Sequence, residues 1–320
     1  MTGFVEAHAV EVRKAADRIR TYVRRTPTLT TDLDPGLRLK AECFQVTGSF
    51  KVRGAFNAVL SQMTRDPRPT GFIAVSSGNH AQAVALAART VHVPALILIP
   101  EDANPAKVAA TRALGAEVIQ EGITFANREQ RLREVMAERG FSLVHPFDDW
   151  DVIHGQGTAA AEMLEDEPGL ASLATPVGGG GLLSGSAIAA KSRHPTMKVI
   201  GVEPAQADDA YQSWKAGSIQ SLTAAPTTIA DGVRTTAIGQ RTFEVMFANG
   251  LVDEIVTITE EEIATGVWTA WTRLHMALEP TGALPLAAYL AGKLPRGLTG
   301  LVISGGNANL ETVAKLLGTR

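Results

Sequence analysis

Between residues 72 and 144 the chain repeatedly exchanges a short apolar run for an amphipathic one, and this alternation limits its fold more than any other feature. Runs 72–75, 95–99, 117–120 and 142–144 have the length and apolar content of buried strands. Between them the spacing predicts helices from the 76–79 loop to Thr90, from Pro105 to Leu114 with Gly115 as the stop, and near 124–139. Strand–helix alternation at this pitch implies a parallel sheet covered by helices on both faces. The same pattern resumes later, with strands at 173–177, 198–202, 254–258 and 300–303 and helices at 158–164, 182–190, 260–273 and 283–291. Ahead of it lie an amphipathic helix at 5–24, a strand at 38–44, a helix at 50–63 and a proline-bearing hinge at 64–71. With 320 residues, the expectation is two doubly wound α/β domains: a smaller one over 71–146, inserted between 1–63 and 147–320.

Composition removes several classes of function. Thirty Lys+Arg against 33 Asp+Glu leave a net charge of −3, so no basic excess points to nucleic acid or an anionic membrane surface. A single cysteine, Cys43, excludes an intrachain disulfide and a cysteine-cluster metal site. Residues 1–25 carry six basic residues but no apolar stretch, so a secretory leader is not expected. The uncharged run 168–190 has the length of a membrane span, yet it holds two prolines and six glycines and reads as strand, loop and helix. A cytoplasmic protein is the expectation.

Ligands of doubly wound folds sit at the carboxyl ends of strands, so the loops there carry the search for chemistry. Gly178, Gly179, Gly180 and Gly181 follow a strand and open a helix, exposing main-chain N–H groups without side chains in the way. The spacing fails the dinucleotide fingerprint, and no Gly-Lys-Ser/Thr follows, so a single phosphomonoester suits the turn best. Lys51 stands at a strand-to-helix junction among small residues, where partial burial would favour its neutral, nucleophilic form; the ordinary alternative is a surface lysine. Ser76, Ser77, Gly78, Asn79 and His80 form either a carboxylate-binding loop or a plain helix cap. Ser304, Gly305, Gly306 and Asn307 make another polar turn after an apolar strand. Glu203, Asp208 and Asp209 crowd three carboxylates into seven residues, suited to a hard divalent cation or to a solvated acidic loop.

Taken together and in this order, these loops resemble the fold-type II pyridoxal-5′-phosphate (PLP) enzymes, most closely the serine/threonine dehydratase and serine racemase branch. The likeness lies in residues 40–55, 76–83, 176–181, 201–204 with 207–209, 228–233, 278–282 and 304–307, and spans about 20–310. It implies the tryptophan-synthase-β-like architecture, with the cofactor in the cleft between two domains, and a homodimer. Carried over residue by residue, Lys51 would form the internal aldimine and shuttle the α-proton, and Phe50 would pack near the ring. Asn79 would bond the ring's 3′-oxygen, Ser304 the pyridine nitrogen, and Gly178, Gly179, Gly180, Gly181 and Leu182 the phosphate. Ser76, Ser77, Asn79, His80 and Arg131 would meet the amino acid substrate, with Ser77 on the ring face opposite Lys51. Glu203, the Ala207 carbonyl and Asp209 would hold Mg²⁺ or Ca²⁺. Ala81 replaces a glycine frequent in the branch, with little effect expected. A C-terminal regulatory domain, and with it control by isoleucine, is not expected.

The chemistry agrees with this likeness. A hydroxyl such as that of Ser304 does not enforce a protonated pyridine, so the electron sink is moderate and loss of a β-leaving group follows α-proton removal. The expected reaction is β-elimination of water from serine, threonine or 3-hydroxyaspartate, giving a 2-oxo acid and ammonia. The alternatives are racemisation by Lys51 and Ser77 acting on two faces, a cysteine-synthase-like β-replacement, and a cofactor-binding protein without turnover.

Overall fold

In the computed structural model, which describes residues 2–103 and 105–318, the alternation resolves into two sheets of strongly unequal size. The chain opens with α1 (Thr2–Ile19), β1 (Thr28–Thr30), β2 (Leu37–Ala41) and α2 (Lys51–Gln62). Next come β3 (Phe72–Val75), α3 (Asn79–Thr90), β4 (Ala95–Leu98), α4 (Pro105–Ala113), β5 (Glu117–Ile119), α5 (Arg128–Arg139) and β6 (Ser142–Leu143). The remainder is α6 (Trp150–Asp166), β7 (Ser172–Pro176), α7 (Gly181–Arg193), β8 (Lys198–Pro204), α8 (Asp209–Ala216), α9 (Gln240–Phe243), β9 (Glu254–Ile258), α10 (Glu260–Thr272), α11 (Pro280–Leu290), β10 (Thr299–Ile303) and α12 (Leu310–Gly318).

The smaller sheet has the order β5-β4-β3-β6 and is parallel throughout. The larger has the order β1-β2-β10-β7-β8-β9 and is parallel except for β1, which pairs antiparallel with β2 at the edge. The chain's last strand, β10, thus lies between its second and seventh, so the large sheet closes only when both ends of the sequence are in place. Each sheet buries both faces. One apolar cluster joins α1, α6 and α7 to the large sheet, and a second joins α10 and α11 to the opposite face. The small sheet packs on α2 and α3 on one side and on α5 on the other. Among the described residues no helix is long and apolar enough to cross a membrane.

Several elements differ from expectation, each for a physical reason. The first helix stops at Ile19, not residue 24, and the strand expected over 38–44 ends at Ala41, where short 3-10 turns at Glu42–Phe44 and Val46–Gly48 carry the chain to Lys51. The helix expected at 158–164 begins at Trp150, capped by the Asp149 carboxylate on the Val152 N–H at 3.1 Å. Gly155 and Gly157 disguise it in sequence, because they resemble a break. Their bare faces are a packing requirement: a Cβ on Gly155 would come within 2.7 Å of the Arg53 carbonyl, and one on Gly157 within 2.6 Å of the Gly185 carbonyl. The helices α6 and α7 therefore touch backbone to backbone.

A methyl group at Gly185 would lie 2.3 Å from the Ile153 carbonyl and 2.5 Å from the Gly157 nitrogen, neither of which can yield. Gly185→Ala is expected to lower the unfolding free energy by about 1–3 kcal/mol or more, seen as a lower urea midpoint. Gly3→Ala, with nothing within 4 Å of the added Cβ, serves as the comparison and should shift stability by no more than about 1 kcal/mol.

Candidate active site

Five strands send their carboxyl ends toward one cleft. From β2 the chain turns into α2 at Lys51; from β7 it enters the glycine turn; β10 ends at Ser304; β3 leads to the 76–79 loop; and β6 leads to residues 145–149. The Lys51 ammonium, partly buried, donates to the Pro146 carbonyl at 2.8 Å and stands 5.2 Å from the Phe50 ring centroid. Burial pushes its pKa down to about 8, against the pull of Glu279. Beside it the Phe50 N–H donates to the Ser304 carbonyl at 3.0 Å, which fastens the start of α2 to the end of β10. The Ser304 hydroxyl is buried without a hydrogen-bond partner in the protein.

The glycine turn packs on all sides where side chains would project. A Cβ on Gly179 would strike the Phe147 ring at 2.3 Å, one on Gly181 the Phe147 main chain at 3.0 Å, and one on Gly178 the Val233 main chain at 3.1 Å. Gly180 adopts φ +95° as the cap of α7, and a Cβ there would meet Thr242 at 2.8 Å. Held this way, the turn and the first residues of α7, Leu182 included, keep their N–H groups free of helix partners.

The polar loop divides its roles. Ser76 accepts from the Gly78 N–H at 3.2 Å, and Ser77 lies half-buried in the same turn. Asn79, first residue of α3, donates through Nδ2 to Glu279 at 2.7 Å and accepts at Oδ1 from Asn307 at 2.8 Å. Both bonds cross from the small-sheet unit to the large. Burial, reinforced by the charge of Asp231, pushes the Glu279 carboxyl up to about 7. His80 departs from its expected role. Its imidazole is buried against the Val144 carbonyl through Nε2 at 2.8 Å, and burial together with the Lys51 charge pulls its pKa to about 3. With Nε2 donating, the buried Nδ1 is only an acceptor, so the ring cannot donate to a carboxylate; the main-chain N–H in the first turn of α3 is the donor that His80 offers.

Arg131 is not among these groups. It lies half-buried on α5, ion-paired with Glu134 on the same helix. The more deeply buried arginine of that helix is Arg128, stacked on the Phe125 ring at 3.7 Å. At the end of β8, Glu203 and Asp209 are both fully buried. Glu203 accepts the N–H groups of Tyr211 at 2.6 Å and Ala210 at 3.3 Å, whereas both Asp209 oxygens lack a hydrogen-bond partner. Burial raises both carboxyls, Asp209 to about 7. Among the described residues no cluster of three or more His, Cys, Asp or Glu side chains is arranged for a metal.

Two parts of the site acquire their roles only in the fold. Residues 145–149 hold no motif, yet His145 Nδ1 accepts the N–H groups of Phe147 and Asp148, Pro146 receives Lys51, and Phe147 seats the glycine turn. Glu279 and Asn307 lie in segments that carry the family likeness, but their partnership with Asn79 depends on three separate loops meeting.

A family model described as pyridoxal-phosphate dependent enzyme matches residues 16–305. The L-threo-3-hydroxyaspartate ammonia-lyase of Saccharomyces cerevisiae is 44% identical over 314 residues, covering 96% of this chain and 95% of that protein. The serine racemase of Schizosaccharomyces pombe is 41% identical, covering 96% of each. Among solved structures, a threonine deaminase from T.th. superposes with a TM-score of 0.88 at 47% identity, covering 94% of this chain and 98% of that one.

The neutral amine is the form of Lys51 that reacts with an aldehyde, and its share rises with pH through the lowered pKa. In cofactor-stripped protein, the rate at which Lys51 captures added pyridoxal 5′-phosphate should climb and level off above about 8. A stopped-flow midpoint near the ordinary lysine value of ~10.4 would contradict the burial described here.

Proposed function

Because this chain belongs to the pyridoxal-phosphate dependent enzyme family, we propose that it is an ammonia-lyase eliminating water from a hydroxy amino acid: L-threo-3-hydroxyaspartate, L-serine or L-threonine. The observation that carries this reading is that one loop serves both ends of the cleft. Lys51 Nζ rests on the Pro146 carbonyl, and the next residue, Phe147, packs on Gly179 and Gly181. An amine for the cofactor's aldehyde and a main-chain turn for its phosphate thus share one wall. The unpartnered Ser304 hydroxyl fits the ring nitrogen as a neutral partner, and the second N–H of the Asn79 amide fits the ring oxygen. Bound there, the cofactor supplies an electron sink for charge developing at the substrate α-carbon.

Every further role belongs to the chain itself. Lys51 Nζ, near neutrality in its acid–base balance, takes the α-proton. Ser77, with the N–H groups opening α3, holds the substrate carboxylate, and Arg128 rather than Arg131 faces the substrate from α5. Serine racemisation is a second reading, supported by the Schizosaccharomyces pombe relative; Ser77 would return the proton to the opposite face. A hard cation at Glu203, Asp209 and the Ala207 carbonyl is supported by Asp209, since a buried carboxylate without partners is costly and an ion with bound waters would relieve it. We place the active protein in the cytoplasm as a homodimer, from the family likeness.

Lys51→Ala should reduce 2-oxo acid release from all three substrates by at least about a thousandfold, and borohydride should attach the cofactor to the Lys51 peptide in wild type only. Residual turnover near the wild-type rate would end the base assignment. Ser77→Ala should cut formation of the D-enantiomer from L-serine more than it cuts pyruvate formation, as resolved by chiral chromatography. EDTA should lower the melting temperature and added Mg²⁺ restore it, with no response in Asp209→Asn. Equal melting of treated and untreated wild type would return the acidic loop to a purely structural role.

A further inference from the structure

Among the described ion pairs, one joins the small-sheet unit to the large: Lys107 on α4 with Asp231. Asp231 opens a 3-10 turn, Asp231–Val233, that is itself part of the cleft wall. The Gly232 N–H donates to the Thr281 hydroxyl at 3.0 Å, two residues beyond Glu279, and Val233 packs on Gly178 of the glycine turn. On the other side, α4 packs on α3, which begins at Asn79. The ion pair therefore spans the same cleft as the Asn79–Glu279 and Asn307–Asn79 bonds.

We infer that Lys107 and Asp231 are positioning residues for the reaction: their ion pair clamps the small-sheet unit over the cleft and keeps Asn79 in register with Glu279. Neither side chain needs to touch the substrate. The electrostatics point the same way, since Asp231 pushes the Glu279 carboxyl up and Lys107 draws it down. Without Lys107, the charge of Asp231 drives Glu279 toward its protonated form and weakens the acceptor that Asn79 uses. The pair is partly exposed, at 21% and 41%, so it adds little to global stability and acts on local closure. The inference deepens the elimination and racemisation reading, and rests on it for its kinetic readout alone.

The test uses the holoenzyme with L-threo-3-hydroxyaspartate and L-serine. Lys107→Met and Asp231→Asn should each lower kcat/KM by about tenfold or more, chiefly through KM. Amide exchange in the first turn of α3 should quicken, while exchange in β10 stays as in wild type. The reversed pair, Lys107→Asp with Asp231→Lys, should recover most of the loss, because it restores the attraction between the two positions. Single variants within about twofold of wild type in kcat/KM and unchanged in α3 exchange would overturn the clamp, as would a reversed pair no better than the singles. Should wild type release no 2-oxo acid and form no D-amino acid, the functional reading fails while α3 exchange still decides the clamp.

Discussion

A guanidinium removed from water has to be met by carboxylates, and in this protein the architecture of the site follows from how Arg53 is met. It is fully buried two residues after Lys51. Its Nε and Nη2 donate to Glu42 at 2.8 Å, and Nη1 and Nη2 donate to Glu162 at 2.7 and 2.8 Å. Lys40 on β2 joins Glu162 at 2.7 Å. Burial alone would raise the Glu42 carboxyl, but the Arg53 charge overrides it and holds Glu42 below the ordinary range. This cluster ties the first turn of α2 to the end of β2 and to the middle of α6. Among the described ion pairs none involves the neighbouring Lys51, whose amine rests on the neutral Pro146 carbonyl instead. That is why burial, rather than an ion pair, governs its acidity.

From this anchor the cleft is built by loops that each do two jobs. Residues 145–149 receive Lys51, brace the glycine turn through Phe147, grip Arg241 through Asp148, and start α6 through Asp149. Asn79 caps nothing; it commits its amide to Glu279, which precedes α11, and to Asn307, in the turn after β10, both in the large-sheet unit. The two units therefore meet through a small number of directional polar bonds over the cleft and through the apolar flank of α2, which packs on both α3 and α6. Directional contacts of this kind fix orientation more than they add stability.

Much of the fold is legible because buried parallel strands are short, apolar and bounded by turn residues. β3, β4, β9 and α10 fall within a residue or so of expectation, the last with a complete capping box at Thr259 and Glu262. The errors share a cause. Gly155 and Gly157 look like helix breakers until α2 and α7 are seen pressing on them. The edge strand β1 and the helices α8 and α12 are too short to show a period. The glycine turn reads as an opening for phosphate, yet its Cβ directions turn out to be filled by Phe147, Val233 and Thr242. The glycines thus answer two demands, close packing and free N–H groups, of which sequence displays only the second.

The order of motifs along the chain is enough to establish the fold class and the family, because each motif is a local property of a strand end and the turn that follows it. Which way His80 faces, which arginine of α5 is the more buried, that Glu279 and Asn307 bond Asn79, and that Lys107 reaches Asp231 emerge only once the chain has folded. Those are relations between side chains brought together from distant parts of the chain, and a linear pattern carries no record of which burial, which partner and which charge each of them meets.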